Sequence, residues 1–261
     1  MRPLIALLSD FGLTDHYVGT MKGVVLGICP DATLVDITHD VPAHRVLDGA
    51  LQLAAAFRYF PSGTIFLAVV DPSVGSLRRA IAAEAGEYRF VAPDNGLLTM
   101  VFRDTPPKRV VELTERRYAR PTVSRTFEGR DRFAPAAAWL AKGIQLTALG
   151  RPVSDYQRLD IPQPHAAEDR IDGVVLRVDR FGNLVTNIDR RAVEKLAQGR
   201  PVRIAANGTP VPRLVATYSE MSGEEVCALF GSTDHLELAV NSGSAAERLG
   251  LGKGAAVTVS K

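Results

Sequence analysis

The feature that most restricts the fold is an alternation of two periods along the first half of the chain. "LIALLS" (4–9), "TLVDIT" (33–38) and "TIFLAVV" (64–70) are short apolar runs with β-forming residues. Between the first two, "HYVGTMKGVVLGIC" (16–29) spaces Val18, Met21, Val24 and Val25 as a helix does, and Pro30 stops it. "VLDGALQLAAAFRYF" (46–60) repeats the helical pattern and closes at Pro61-Ser62-Gly63. Strands alternating with helices in this way read as parallel α/β units. A hairpin follows, "RAIAAEA" then "YRFVAPD", and later a strand "RVVEL" (109–113). "DRFAPAAAWLAKG" (131–143) reads as a helix with Pro135 near its first turn.

Between Gly150 and Asp169 the chain turns polar, carries Pro152, Pro162 and Pro164, and loses periodicity, as a linker does. Beyond it β patterns dominate: "GVVLRV", "NLVTNI", "PVRIAA" with an Asn207-Gly208 turn, "VPRLVATY", "VCALFG", "HLELAV" and "AAVTVS". The prediction is an N-terminal α/β domain over residues 1–155 with a mostly parallel central sheet. A linker over 156–170 and a C-terminal antiparallel β-barrel domain over 171–261 complete it.

With 31 basic and 29 acidic residues, net charge +2, the charges are interspersed and give no field for nucleic acid or anionic lipid. Cys29 and Cys227 stand far apart, so neither a disulfide scaffold nor a zinc cluster is implied. "PLIALL" is too short for a signal-peptide core, and no apolar run reaches spanning length, so the expected location is cytoplasmic.

In an open α/β sheet ligands bind beyond the carboxyl ends of the strands. Three of the predicted strands end in a carboxylate loop: Ser9-Asp10-Phe11-Gly12, Val70-Asp71-Pro72-Ser73-Val74-Gly75 and Ala92-Pro93-Asp94-Asn95-Gly96. One such loop is an ordinary turn or cap; three along one edge point to a site, with glycines allowing close backbone approach. His16, His39 and His44 invite a metal reading, but no helix carries an i, i+4 histidine pair, and no metal is predicted. "VDRFGNLVTNID" (178–189) interrupts a β pattern with Asp179, Asn183 and Asn187. It reads either as a turn held by Asx bonds or as planar hydrogen-bonding groups beside Phe181, suited to a purine.

Taken together, "LLSDFGLTDHYVGTMKG", "LVDITHDVP", "VVDPSVGSLRRAI", "VAPDNGLLT", "TFEGRDRFAPAAAWLA", "VDRFGNLVTNI" and "LELAVNSGSAA" resemble the SAM hydroxide adenosyltransferase family, nearly end to end. That family is related to the bacterial fluorinase and chlorinase. The resemblance implies cleavage of S-adenosylmethionine by attack at the ribose C5′ with release of methionine. Water gives adenosine, and halide gives a halogenated nucleoside. It implies no cofactor, S-adenosylmethionine being the substrate, and a homotrimer whose sites lie between the N-domain of one subunit and the C-domain of its neighbour.

Carried over by motif, Asp10 binds the ribose hydroxyls, and His44 falls where the fluorinase has a tryptophan near the ligand. Asp179 meets the methionine amino group, and Asn183 with Phe181 holds the adenine. Asn241 and Ser242 take the methionine carboxylate, Ser242 standing where a halogenase has arginine. Phe127 is a further substrate contact. Asp71 and Arg78 match two members of the hydrolases' water-orienting Asp-Arg-His set, and the fluorinase has tyrosine at the position of Asp71, which favours water over halide.

The third member differs: the hydrolases read Thr-Phe-His-Gly-Arg-Asp, and this chain reads Thr126-Phe127-Glu128-Gly129-Arg130-Asp131. Glu128 is expected to support slow hydrolysis as a general base, with faster turnover in Glu128→His. The alternatives are halide transfer, or a protein that binds S-adenosylmethionine or adenosine without turnover. In that last case Glu128 merely pairs with Arg78, Arg79 or Arg130.

Overall fold

In the computed structural model, which describes residues 2–261, the chain divides after Leu159 into two units. The first is built on β1 (Leu4–Ser9), β2 (Thr33–Thr38), β3 (Ile65–Val69), β4 (Ala80–Ala85), β5 (Tyr88–Pro93), β6 (Pro107–Leu113) and β7 (Gly150–Pro152). Their order in the sheet is β2-β1-β3-β5-β4-β6-β7. β1 pairs in parallel with β2 and β3, and β3 with β5. The pairings from β5 through β4 and β6 to β7 are antiparallel, so the sheet is mixed.

β1 and β3 are buried over nearly their whole length, which is why their sequences are continuous apolar runs without alternation. The helices are α1 (Tyr17–Ile28), α2 (Val46–Ala56), α3 (Thr99–Asp104) and α4 (Ala134–Ala141). Met21 and Val25 of α1 pack with Leu7, Leu67 and the alanines of α4 in one core. Burying a side chain of the size of Leu7 or Leu67 stabilises the fold by about 1.5–3 kcal/mol. Small residues on almost every side of α4 allow it to be buried nearly all round.

The helix predicted over 131–143 is α-helical only from Ala134; Gly129–Phe133 form a wider π turn ahead of it. Pro135 explains part of this. It has no N–H for the carbonyl of Asp131, and that oxygen instead accepts from Arg120 N at 2.9 Å.

The second unit contains β8 (His165–Ala166), β9 (Arg170–Val178), β10 (Leu184–Asp189), α5 (Arg190–Ala197), β11 (Arg203–Ala206), β12 (Thr209–Val211), β13 (Val226–Phe230), β14 (His235–Val240), α6 (Ala245–Leu249) and β15 (Ala256–Ser260). The antiparallel order is β12-β11-β15-β9-β10-β14-β13. The β pattern expected over "VPRLVATY" ends at Val211, where Pro212 cannot donate to a ladder. The chain then turns to β13: Ala228 N donates to Arg213 O at 2.8 Å and Val215 N to Ala228 O at 2.9 Å. These bonds bring the two sheet ends together into a nearly closed barrel. Ile171, Val175, Leu184, Leu238 and Val257 fill its core.

Two short helices were not anticipated among these strands. α5 begins at Asp189, whose carboxylate accepts from Ala192 N at 2.7 Å, and it buries Val193 and Leu196. α6 begins at Ser244, whose hydroxyl accepts from Glu247 N at 3.1 Å. Among the described residues no helix is long and apolar enough to cross a membrane.

Candidate active site

Because β1, β3 and β5 are parallel neighbours, the residues just past their ends, Asp10, Asp71 and Asp94, come to one edge of the sheet. They have different partners. Asp94 is absorbed by structure: it accepts from Arg79 Nε at 2.8 Å and from Gln157 N at 2.7 Å. Arg79 goes on to Asp155 at 2.7 Å, so this pair clamps the end of the first unit to its sheet.

Asp71 lies against Arg78, whose Nε donates to both carboxylate oxygens at 2.9 Å and whose Nη2 also reaches Oδ2. The same Nη2 donates to Glu128 Oε2 at 2.5 Å. One guanidinium therefore bridges the two carboxylates, with the Phe133 ring 5.2 Å from its centre. Burial acts to lower the pKa of Arg78, but the bonds and charge of Asp71, then Glu128, hold it above its ordinary value. Ser73 Oγ donates to Asp71 Oδ1 at 3.2 Å. Gly75 makes the loop possible: its φ is +79°, and a Cβ there would lie 2.3 Å from the carbonyl oxygen of Arg125.

Glu128 has a second cation that sequence reasoning missed. Arg132, one helical turn on, places Nε 3.4 Å from Glu128 Oε1. Arg79 is committed to Asp94, and Arg130 to Asp131 at 2.7 Å, so neither of those two expected pairings forms. An i, i+4 acid-base spacing was the available signal. The four side chains Asp71, Glu128, Arg78 and Arg132 are formally neutral together.

Asp10 and His44 are joined through the backbone: His44 N donates to Asp10 Oδ2 at 2.9 Å, with His44 at φ +66°. Phe127 is 8% exposed, edge-on to Tyr17 at 5.1 Å and to Phe11 at 6.1 Å, with the Arg130 guanidinium 5.2 Å from its ring.

In the second unit, the segment from Asp179 to Asn183 is the turn between β9 and β10. Asp179 Oδ1 accepts from Phe181 N and Asn183 N, each at 2.9 Å, and Asn183 Nδ2 donates to Asp179 Oδ2 at 3.0 Å. The Asx-bonded turn is therefore present, and it leaves the Phe181 ring 75% exposed. Asn187 is structural: it accepts from Val174 N at 2.8 Å and donates to Pro162 O at 2.9 Å. Gly182, at φ +83°, packs on Ser244, and its carbonyl accepts from Ala246 N at 3.0 Å. That contact ties the turn to the segment that carries Asn241 and Ser242, whose side chains bond each other at 3.2 Å.

The family model for the SAM hydroxide adenosyltransferase N-terminal domain matches residues 5–150, and that for the C-terminal domain matches residues 173–258. The chain belongs to the SAM hydroxide adenosyltransferase family. A Thermus thermophilus protein named (R)-S-adenosyl-L-methionine hydrolase is 41% identical, over 97% of this chain and 98% of its own length. A protein of the same name from Salinispora tropica is 39% identical over 97% and 95%. A fluorinase from Nocardia brasiliensis is 32% identical over 99% and 97%. A solved structure of an uncharacterized conserved protein from Thermotoga maritima matches with a TM-score of 0.92 and 34% identity, covering 98% of this chain and all of that one.

Within this family frame, the second unit holds two more polar side chains that the sequence did not single out. Tyr218 O–H donates to Glu237 Oε2 at 3.4 Å and accepts from Asn183 Nδ2 at 3.5 Å, next to Asp179. Burial first, then the charge of Asp179, pushes the Glu237 carboxyl up; burial and the same acids push the Tyr218 phenol up. Glu237 reads in sequence as an outward position of "HLELAV", and only the folded barrel shows that it is buried.

Proposed function

We propose that this member of the family hydrolyses S-adenosylmethionine, water attacking the ribose C5′ to give adenosine and methionine. One observation carries the reading most: Arg78 bridges Asp71 and Glu128 at the end of β3, in a chain 41% identical to a protein named as an (R)-S-adenosyl-L-methionine hydrolase. The R configuration at sulfur is taken from the names of the relatives and belongs to the proposal. The reaction consumes a sulfonium and water and yields a neutral thioether, an alcohol and one proton, so the site must orient water and receive that proton.

Arg78 fixes both carboxylates, so their free lone pairs have set directions for the water. Three of the four carboxylate oxygens carry a bond from Arg78. Glu128 Oε1, met by Arg132 at the longer 3.4 Å, is the most available to accept the water's proton. Asp10 takes the ribose hydroxyls, with His44 beside it. Phe127 lies against the substrate, Asn183 and Phe181 hold the adenine, Asp179 the amino group, and Asn241 with Ser242 the carboxylate of the methionine part. The working form is a homotrimer; sedimentation giving a monomer that still binds S-adenosylmethionine would remove that part.

The deciding experiment is incubation with labelled S-adenosylmethionine, with and without chloride, followed by chromatography of the nucleosides. Adenosine in both arms is the expected result. Chlorinated nucleoside would make this a halide transferase, and unchanged substrate bound to protein would make it a binding protein.

A further inference from the structure

A chain of hydrogen bonds outside the Asp71 set surrounds Asp10 without including its side chain. Phe11 N donates to Ser9 Oγ at 3.3 Å, so the serine closes a turn whose middle residue is Asp10. Ser9 Oγ lies 2.7 Å from His39 Nδ1, and His39 Nε2 lies 3.1 Å from Asp36 Oδ1. Lys22 Nζ donates to the other Asp36 oxygen at 2.6 Å. Ser9 Oγ accepts from Phe11 N and keeps its own hydrogen for Nδ1; we assign the tautomer with the ring proton on Nε2 facing Asp36, which satisfies both contacts of the ring. Every polar atom of the chain then has a partner. Ser9 and His39 are both buried, so the hydroxyl is no nucleophile.

Backbone bonds run the same way. Gly12 N donates to His39 O at 2.8 Å, and His44 N donates to Asp10 Oδ2 at 2.9 Å. The segments around Asp10 and His39 are thus joined both by side chains and by backbone. Burial opposes the ionisation of Asp36, but the bonds from Lys22 and His39 hold its carboxyl below the ordinary value, so its acceptor role persists across the neutral range.

We propose that Ser9, His39 and Asp36 form a positioning chain that aims the Asp10 carboxylate at the ribose hydroxyls. The proposal rests on the reading of Asp10 as the ribose-binding residue. A carboxylate that must meet two vicinal hydroxyls tolerates little displacement, and the turn closed by Ser9 fixes the backbone that carries it. His39 and Ser9 are positioning residues; neither touches substrate.

The test compares kcat/KM for S-adenosylmethionine and its 2′-deoxy analogue in wild type, Asp10→Ala, Ser9→Ala, His39→Ala and His39→Asn. Wild type should lose about 10- to 100-fold when the 2′-hydroxyl is absent, the worth of a hydrogen bond to a carboxylate. Asp10→Ala should erase that difference. Ser9→Ala and His39→Ala should shrink it toward the Asp10→Ala value, and His39→Asn, which keeps an acceptor for Ser9, should fall between. A merely structural role would slow both substrates alike. If Asp10→Ala erases the discrimination while Ser9→Ala and His39→Ala leave it at the wild-type value, the inference is overturned and the ribose reading stands. If Asp10→Ala leaves it intact, the ribose reading fails and takes the inference with it. Ser9→Ala removes a single oxygen, so it carries the test should His39→Ala not fold.

Discussion

Replacing Glu128 by Gln removes the charge and the basicity while keeping the shape and an acceptor for Arg78. The side chain is 11% exposed, fixed by Arg78 at 2.5 Å and approached by Arg132 at 3.4 Å, so the isosteric amide should fold in place. If Glu128 takes the water's proton, the chemical step should slow by roughly 10²–10⁴-fold, the usual worth of a general base. At 1.36 kcal/mol per decade that is about 2.7–5.5 kcal/mol on the barrier. Binding of S-adenosylmethionine should change far less, because the ribose, adenine and methionine contacts proposed here lie on other residues. Single-turnover quench-flow across pH, with Kd from calorimetry, separates the two. Glu128→Gln should therefore show a much lower single-turnover rate with nearly the wild-type Kd. A Glu128→Gln rate within about threefold of wild type would mean that the proton goes elsewhere and that Glu128 only holds Arg78.

Glu128→His should hydrolyse faster than wild type at neutral pH, imidazole being the stronger base there. Arg132→Ala should slow the Glu128 enzyme more than it slows Glu128→His, because only Glu128 pairs with it, a coupling that a double-mutant cycle on single-turnover rates reads directly. Gly75→Ala should cost about 1–3 kcal/mol and slow hydrolysis, because a Cβ 2.3 Å from the Arg125 carbonyl must push the Asp71–Arg78 loop out of place; thermal melting and the adenosine-release assay check both effects. Glu237 is held above the ordinary value of 4.5, so its contribution to stability is full below that value and is lost as pH rises through the raised one. Glu237→Gln should therefore raise Tm at about pH 8 and change it little near pH 4, as measured by differential scanning fluorimetry.

The parallel half of the first unit was legible because its strands are buried on both faces and cannot be anything but apolar runs. The antiparallel half was visible as a hairpin, but the way β4 continues to β6 and β7 depends on tertiary pairing that no local period encodes. In the barrel the strands were legible and the helices were not. α5 and α6 span only 8 and 5 residues, too few for a helical period to stand out from flanking β patterns. The capping residues Asp189 and Ser244 were the signals that could have found them.

The site shows the same division. The pairing of Asp71 with Arg78 was expected from the resemblance, which matches the two to members of the hydrolases' Asp-Arg-His set, and the structure joins them. The pairing of Glu128 with Arg132 crosses a π turn, and the helix was expected to begin at Asp131, which would have left Glu128 outside it. Arg79 beside Arg78 looked interchangeable in sequence, yet the two face different acids, Asp94 and Asp71, because they sit at the entry to β4.

The charge balance of the Asp71 set bears on why two arginines are needed. During hydrolysis the positive sulfonium becomes a neutral thioether, so negative charge near it stabilises the starting state more than the transition state. Two carboxylates with one arginine would be net negative and would hold substrate while slowing its cleavage. Arg132 brings the set to formal neutrality without a bond as short as those from Arg78, and so leaves one Glu128 oxygen able to accept a proton. A histidine at position 128 would carry no charge to balance when neutral, and Arg132 would then face no acid there. On the proposed reading of the site, the Glu128 carboxylate supplies the acceptor and Arg132, 3.4 Å from its Oε1, cancels its field.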